Sequence, residues 1–168
     1  IRVLLLTNEE NRYLRTALEV LEEVELTVDQ PPTAITESYD VVVFSGVDGD
    51  RLLQSTRQEA AGIARRGGGV VVGAQGDLRS VGYGELLPVE PGGTGSNPSL
   101  RTTDDPLTRG IQFPPPEVYV EAEAKEGTES VVTADGSPFV ARAPLGEGRV
   151  VYYGYLQSDS AFHFHYQY

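Results

Sequence analysis

The residues best placed to do chemistry surround Gln75. The run Gly67-Gly68-Gly69-Val70-Val71-Val72-Gly73-Ala74-Gln75-Gly76-Asp77 reads as a strand that delivers the chain into a glycine-flanked turn. A sharp strand-to-helix turn of that kind lifts its apex side chain clear of the sheet edge, where a nucleophile would stand. The apex here is an amide, which is neither nucleophile nor general base, so the turn has the scaffold of a catalytic elbow without the group that would attack. Asp77 is placed to cap the segment after the turn, and the amides of Gln75 and Gly76 to donate to a carboxylate or carbonyl oxygen.

Other reactive types are few. Ser158 and Asp159 are adjacent and would form a hydrogen-bonded pair, but a serine nucleophile also needs a base, and the two histidines are His163 and His165. Their spacing puts both on one face of a strand, where they would serve a metal, and makes them diverge on a helix. Cysteine is absent, which removes disulfides, thiolate catalysis and cysteine-ligated metal sites. The expectation is no catalytic residue, no metal and no cofactor. The tyrosines Tyr152, Tyr153, Tyr155, Tyr166 and Tyr168 would stack on a sugar or a partner, or pack in a core or interface.

The elements that must position these residues follow from hydrophobic patterning. Arg2 to Thr7 is a continuous apolar strand suited to a sheet covered on both faces. Tyr13, Leu14, Ala17, Leu18 and Leu21 recur at helical spacing, Val24 to Asp29 alternates as a second strand, and Pro31-Pro32 stops it. Asp40 to Ser45 is a third strand, and a helix from about Arg51 to Arg66 ends at Gly67 to Gly69. Those glycines follow a helix and precede a strand, so they terminate the helix and form no phosphate loop, and Arg65-Arg66 suits the negative end of the helix dipole. Glu90 to Pro98 reads as a loop. Glu117 to Ala124, Ser130 to Thr133 and Pro138 to Ala143 read as an antiparallel extension, with a hairpin turn at Ala134 to Ser137, before Arg149 to Gly154 returns to the sheet. Ligands of open α/β sheets bind beyond the carboxyl ends of the strands, which gathers Asn8, Ser45, Gly46, Asp48, Gln75, Gly76, Asp77, Ser158 and Asp159 into one candidate crevice.

At 168 residues the chain fits one domain spanning 1–168 with a core of its own. Its net charge of −12 comes from 25 acidic against 13 basic residues, and Lys125 is the single lysine. That balance suits a protein adapted to high salt, or an acidic domain of an arginine-preferring genome, and it disfavours nucleic-acid binding, which needs a basic face. No apolar run approaches the roughly 20 residues of a membrane helix. The first residues are already strand-like and no initiator methionine precedes them, so an excerpt of a longer protein is expected.

Two motif pairs carry a family resemblance over nearly the whole chain. Gly67 to Gly73 with Gly82-Tyr83-Gly84-Glu85-Leu86-Leu87-Pro88-Val89 resembles the amidotransferase-like domains of membrane-anchored proteins that also contain von Willebrand factor A domains, the BatA-like group. Asp105-Pro106-Leu107-Thr108-Arg109-Gly110-Ile111 and Gly146-Glu147-Gly148-Arg149-Val150-Val151-Tyr152-Tyr153 resemble both that group and the ThuA-like proteins of carbohydrate metabolism. Both belong to the class I glutamine amidotransferase-like superfamily. The resemblance implies an α/β fold with a doubly wound, mostly parallel, flavodoxin-like sheet and a small antiparallel extension. The family cysteine would fall near Gln75 and the family histidine near Leu156 to Ser158, and neither is present. The implied function is a non-catalytic, soluble binding or interaction domain tethered to a membrane through regions outside this segment, and the acidic composition adds the expectation of a halophile. Its partner would be a protein, a small polar ligand or a second copy, with no nucleic acid and no membrane contact of its own. The alternative is a ThuA-like carbohydrate-related enzyme or sugar-binding protein.

Overall fold

Short apolar runs separated by glycine and proline turns produce many strands and few helices. The computed structural model describes residues 1–156. In chain order these form β1 (Arg2–Leu6), α1 (Arg12–Glu19), β2 (Glu25–Asp29), β3 (Val41–Phe44), α2 (Gln54–Arg65), β4 (Gly69–Gly73) and α3 (Leu78–Val81). A single 3-10 turn (Gly84–Leu86) then leads into β5 (Val89–Ser96), β6 (Leu100–Thr102), β7 (Val118–Ala124), β8 (Glu129–Ala134), β9 (Ser137–Leu145) and β10 (Gly148–Tyr153).

Eight strands make one sheet in the order β2-β1-β3-β4-β10-β9-β8-β6, and β5 pairs with β7 in a separate ribbon. From β2 to β10 the neighbours are parallel, and from β10 to β6 they are antiparallel. The expected doubly wound, mostly parallel sheet is therefore corrected to a mixed sheet in a mostly β chain, with three short α-helices among the described residues. The antiparallel part is no small extension; it supplies three of the seven strand pairings of the sheet. Its physical origin is the tight Asp135-Gly136 turn, both residues at positive φ, which folds β8 back on β9 without a crossover helix. The segment expected to be a loop from Glu90 to Pro98 is largely strand β5. β7 pairs with it and not with β8. Gly95 makes that pairing possible, because a Cβ there would meet the Tyr119 ring at 2.6 Å.

Strand alternation sends one set of side chains to each face. Leu4, Leu6, Val42, Phe44, Val70, Val72, Val150 and Tyr152 join α2 residues Ala60, Ala61, Ile63 and Ala64 in the main core. Val3, Leu5 and Val43 meet Leu14 and Leu18 of α1 on the opposite face. α1 has no fully buried residue, so that face is the thinner layer. α2 ends as expected, with Gly67 at φ 103° and the Gly67 and Gly68 amides donating to the Ala64 and Ile63 carbonyls.

β10 enters the sheet where this helix end leaves least room. A Cβ on Gly148 would fall on the Ala64 and Gly68 carbonyl oxygens, one on Gly146 would lie 2.5 Å from the Arg65 Cα, and one on Gly68 would lie 2.7 Å from the Asp40 carbonyl oxygen. Beyond β10, buried Asp105 anchors the loop after β6. Its carboxylate accepts from Arg142 of β9 at 3.2 and 2.6 Å and from the Leu107 amide at 2.9 Å. Replacing Gly148 by Ala forces the backbone of β10 off α2 and is expected to cost about 3 kcal/mol, measured as a lower urea midpoint. Gly93→Ala, where the added methyl meets nothing within 4 Å, should shift the midpoint far less.

Candidate functional site

The parallel strands all end on one edge, and six of the nine residues expected there meet. Asn8 follows β1, donates through Nδ2 to the Pro31 carbonyl at 2.7 Å, and accepts at Oδ1 from the Asp48 amide at 2.9 Å. Gly46 follows β3 at φ 62° and its carbonyl accepts from the Asn8 amide at 3.0 Å. A Cβ there would meet the Glu9 carboxylate at 2.6 Å, so glycine lets the β1 and β3 loops close on each other. Ser45 is buried, and its Oγ lies 3.4 Å from Asn11 Oδ1. Asp48 reaches Arg51 at 3.5 Å on the surface. Gly76 is exposed, with open space where a side chain would be. Ser158 and Asp159 lie outside the described residues, as do His163, His165, Tyr166 and Tyr168.

Gln75 does not project as a free apex. Its Nε2 donates to the Val47 carbonyl at 2.9 Å and to Asp77 Oδ1 at 2.7 Å, while its Oε1 accepts from the Val47 amide at 3.2 Å. The carboxamide thus pairs with Val47 as a neighbouring strand would, strapping the β4 turn to the β3 turn. Gln75 is also absent from the residues with positive φ, so it lacks the left-handed backbone that a strained catalytic elbow would have. Asp77 stands at the N-cap of α3 but makes no side-chain cap bond. Its carboxylate serves Gln75 instead, which corrects the capping role expected for it.

Two further residues complete the edge. Asn11 is the left-handed residue here, at φ 43° and ψ 41° before α1, a conformation asparagine tolerates better than most. Its buried Nδ2 donates to Thr7 Oγ1 and, at 2.9 Å, to the Ser45 carbonyl. Tyr83 packs edge-on against Phe44 with centroids 5.3 Å apart, and its hydroxyl is buried without a hydrogen-bond partner among the described residues. Burial, and secondarily the charge of Asp77, raise its pKa well above the ordinary tyrosine value. An asparagine just before a helix is a readable sign of a special backbone position; an unpaired hydroxyl has no sequence signal.

The arrangement offers amides, hydroxyls and carboxylates already bonded to one another, and no nucleophile beside a base among the described residues. The chain matches a domain of unknown function, DUF7408, over residues 2–168. The chain belongs to the DUF7408 family. No curated protein matches it. Among solved structures it is similar to cytoplasmic protein STM1381 from Salmonella typhimurium LT2, at 16% identity and TM-score 0.78, covering 94% of this chain and 89% of that one. It is also similar to cytoplasmic protein STM3548 from Salmonella typhimurium, at 15% identity and TM-score 0.77, covering 93% and 88%. The exo-beta-1,4-mannosidase Op5Man5 from Opitutaceae bacterium strain TAV5 shares the fold over part of its length, at 18% identity and TM-score 0.61, covering 91% of this chain and 30% of that one. These identities show a common fold alone.

The class I amidotransferase-like, BatA-like and ThuA-like resemblance is corrected accordingly: the family is DUF7408, and the fold is the mixed, mostly β sheet shared with the two Salmonella proteins. The quoted motifs have local structural causes in this DUF7408 domain. Gly82 is the left-handed cap of α3, Asp105 anchors its loop, and Gly146 and Gly148 admit β10. No helix among the described residues is long and apolar enough to cross a membrane.

Tyr83 supplies a test of this packing. Because its folded pKa is raised, the unfolded chain ionises first as pH climbs past the ordinary value of 10.0, so its contribution to stability is intact below that pH and is lost above it. Tyr152, also buried and unpartnered, acts in the same direction. Tyr83→Phe is expected to leave stability at neutral pH unchanged or raised by up to about 1 kcal/mol, and to move alkaline unfolding to higher pH. A loss of stability at neutral pH would reveal a bond to this hydroxyl.

Proposed function

We propose that this DUF7408 domain is a non-catalytic binding or interaction module. The observation that carries the reading is the closure of the Gln75 carboxamide on Val47 and Asp77. A side chain at the end of a parallel strand whose donors and acceptor are engaged in holding two loops together is a structural strut. Asn8 and Asn11 bond neighbouring loops in the same way. Function is then carried by the surface of the domain, and the partner classes that remain are a protein, a small polar ligand or a second copy.

The same proposal places the domain in a high-salt setting. Its charge of −12 is nearly unbuffered by lysine, and ion pairs such as Arg2 with Glu37 and Arg109 with Asp104 are exposed, where they contribute little. Self-repulsion is then the electrostatic effect that salt relieves most. Any attachment to a membrane rests on segments outside residues 1–168, and fractionation of the native polypeptide with an antibody to this domain decides it.

The catalytic question is answered by turnover. Glutamine and p-nitrophenyl ester hydrolysis are expected at the uncatalysed rate for both the parent and Gln75→Ala, the variant remaining folded with a stability loss of about 1–2 kcal/mol. Hydrolysis by the parent that vanishes in the variant would refute the reading. For the salt setting, the melting temperature should climb by several degrees as KCl is raised from about 0.1 M to about 1 M. A flat or falling profile would favour an ordinary acidic domain.

A further inference from the structure

The main sheet ends on one side at β2, with no strand beyond it among the described residues. In the parallel ladder the Glu25 amide donates to the Ile1 carbonyl and the Asp29 carbonyl accepts from the Thr7 amide, and the register pairs Val3 with Leu26 and Leu5 with Val28. Backbone groups alternate in direction along a strand, so residues 25, 27 and 29 bond β1 while the amides and carbonyls of Leu26 and Val28 point away from the sheet. Their side chains are half-buried on the α1 face, leaving a row that another strand can extend.

The charged side chains of that strand and of the turn before it have one sign. Residues 19 to 29 carry Glu19, Glu22, Glu23, Glu25 and Asp29 and no basic residue, and none of the five carboxylates has an ion-pair partner among the described residues. The turn that feeds β2 also exposes Val20 at 69% and Leu21 at 50%. A second copy is a poor occupant. Antiparallel pairing of two β2 strands about Thr27 sets Leu26 opposite Val28 but also Glu25 opposite Asp29, and like charges directly opposed destabilise a sheet.

We propose that the β2 edge is a docking strand for an extended segment of a partner protein in which basic residues alternate with apolar ones. Backbone bonds to Leu26 and Val28 provide the pairing, the apolar side chains extend the α1-face layer, and the basic ones face the carboxylates of residues 19 to 29. This rests on the interaction-module reading above and names its surface and partner chemistry.

The test uses the whole chain and a short peptide alternating lysine and valine. Binding is followed by fluorescence anisotropy at moderate salt, and backbone protection by hydrogen exchange. Protection is expected at the amides of Leu26 and Val28 and little change at Thr27, which already bonds β1. Two controls read the two contributions separately. N-methylation of alternate peptide amides should weaken binding at least tenfold if strand pairing is used, and so should the charge reversal Glu22→Lys with Glu23→Lys and Glu25→Lys. Equal binding of the methylated peptide, protection elsewhere, or preference for a glutamate–valine peptide would overturn the proposal. So would no binding at all, in which case the carboxylates merely guard an open edge; the non-catalytic reading would still stand or fall by its turnover assay. Self-association with Leu26 and Val28 protected would assign the edge to a second copy instead.

Discussion

The close approach of β10 to the end of α2 is the constraint on which the rest of the domain depends. Gly148 lies so near the carbonyls of Ala64 and Gly68 that no side chain fits, and Gly68 is itself pressed against Asp40 and Ile63. This contact seats β10 parallel to β4 while its other edge receives β9 antiparallel. One strand thus joins the half of the sheet built by helical crossovers to the half built by hairpins. The joint also explains why α2 must stop at a glycine: a further helical turn would occupy the space through which β10 enters. On the far side, the bidentate contact of Asp105 with Arg142 holds the loop after β6 against β9, so the hairpin half is tied at both ends.

The polar edge follows from the same joint. With β10 seated, the Tyr153 carbonyl accepts from the Ala74 amide at 2.9 Å, which fixes where β4 ends and the Gln75 turn begins. The turn then lies beside the Val47 backbone, whose amide and carbonyl are not paired by a strand at that point. A buried backbone group left without a partner is costly, and the carboxamide, carrying one donor group and one acceptor, satisfies both. Glutamine at this position is therefore explained by the backbone it completes. Asn11 does the same for the Ser45 carbonyl one loop away. The edge is a set of loops stitched by side-chain amides.

Much of the parallel half was legible because buried strands are written as apolar runs. Leu4-Leu5-Leu6, Val41 to Phe44 and Val70 to Val72 announce themselves, and the glycines after Arg66 mark the helix end. What failed was global. Strand order and direction are set by which faces pack and by tight approaches such as that at Gly148, and no local period records them, so alternating strands and helices suggested a doubly wound sheet. β5 was illegible for another reason: Pro91, Gly92, Gly93 and Gly95 are loop residues by propensity, yet β7 pairs with Pro91 and Gly95, the ladder bulges at Gly92 and Gly93 between them, and Tyr119 needs the space over Gly95. The carboxyl-edge rule did bring together Asn8, Ser45, Gly46, Asp48, Gln75 and Asp77. It could not say that they bond one another, since hydrogen-bond partners more than thirty residues apart, such as Asn8 and Asp48, leave no mark in spacing.

The two ends of the sheet make the final contrast. Both β6 and β2 are edges, but they are protected unequally. β6 is three residues long, carries exposed Arg101 at its centre, and its chain turns at once into the loop held by Asp105, all of which discourage a further strand. β2 is five residues long, regular over its whole register with β1, and interrupted by no bulge. Its charges are confined to one sign and lie mostly in the turn before it and at its two ends, leaving Leu26, Thr27 and Val28 uncharged between them. Charge placed this way repels a like strand while leaving the backbone row open to an oppositely charged one. The asymmetry thus follows from length, regularity and sign of charge, and it singles out the β2 side as the one end of the sheet whose chemistry selects for a partner as well as against self-association.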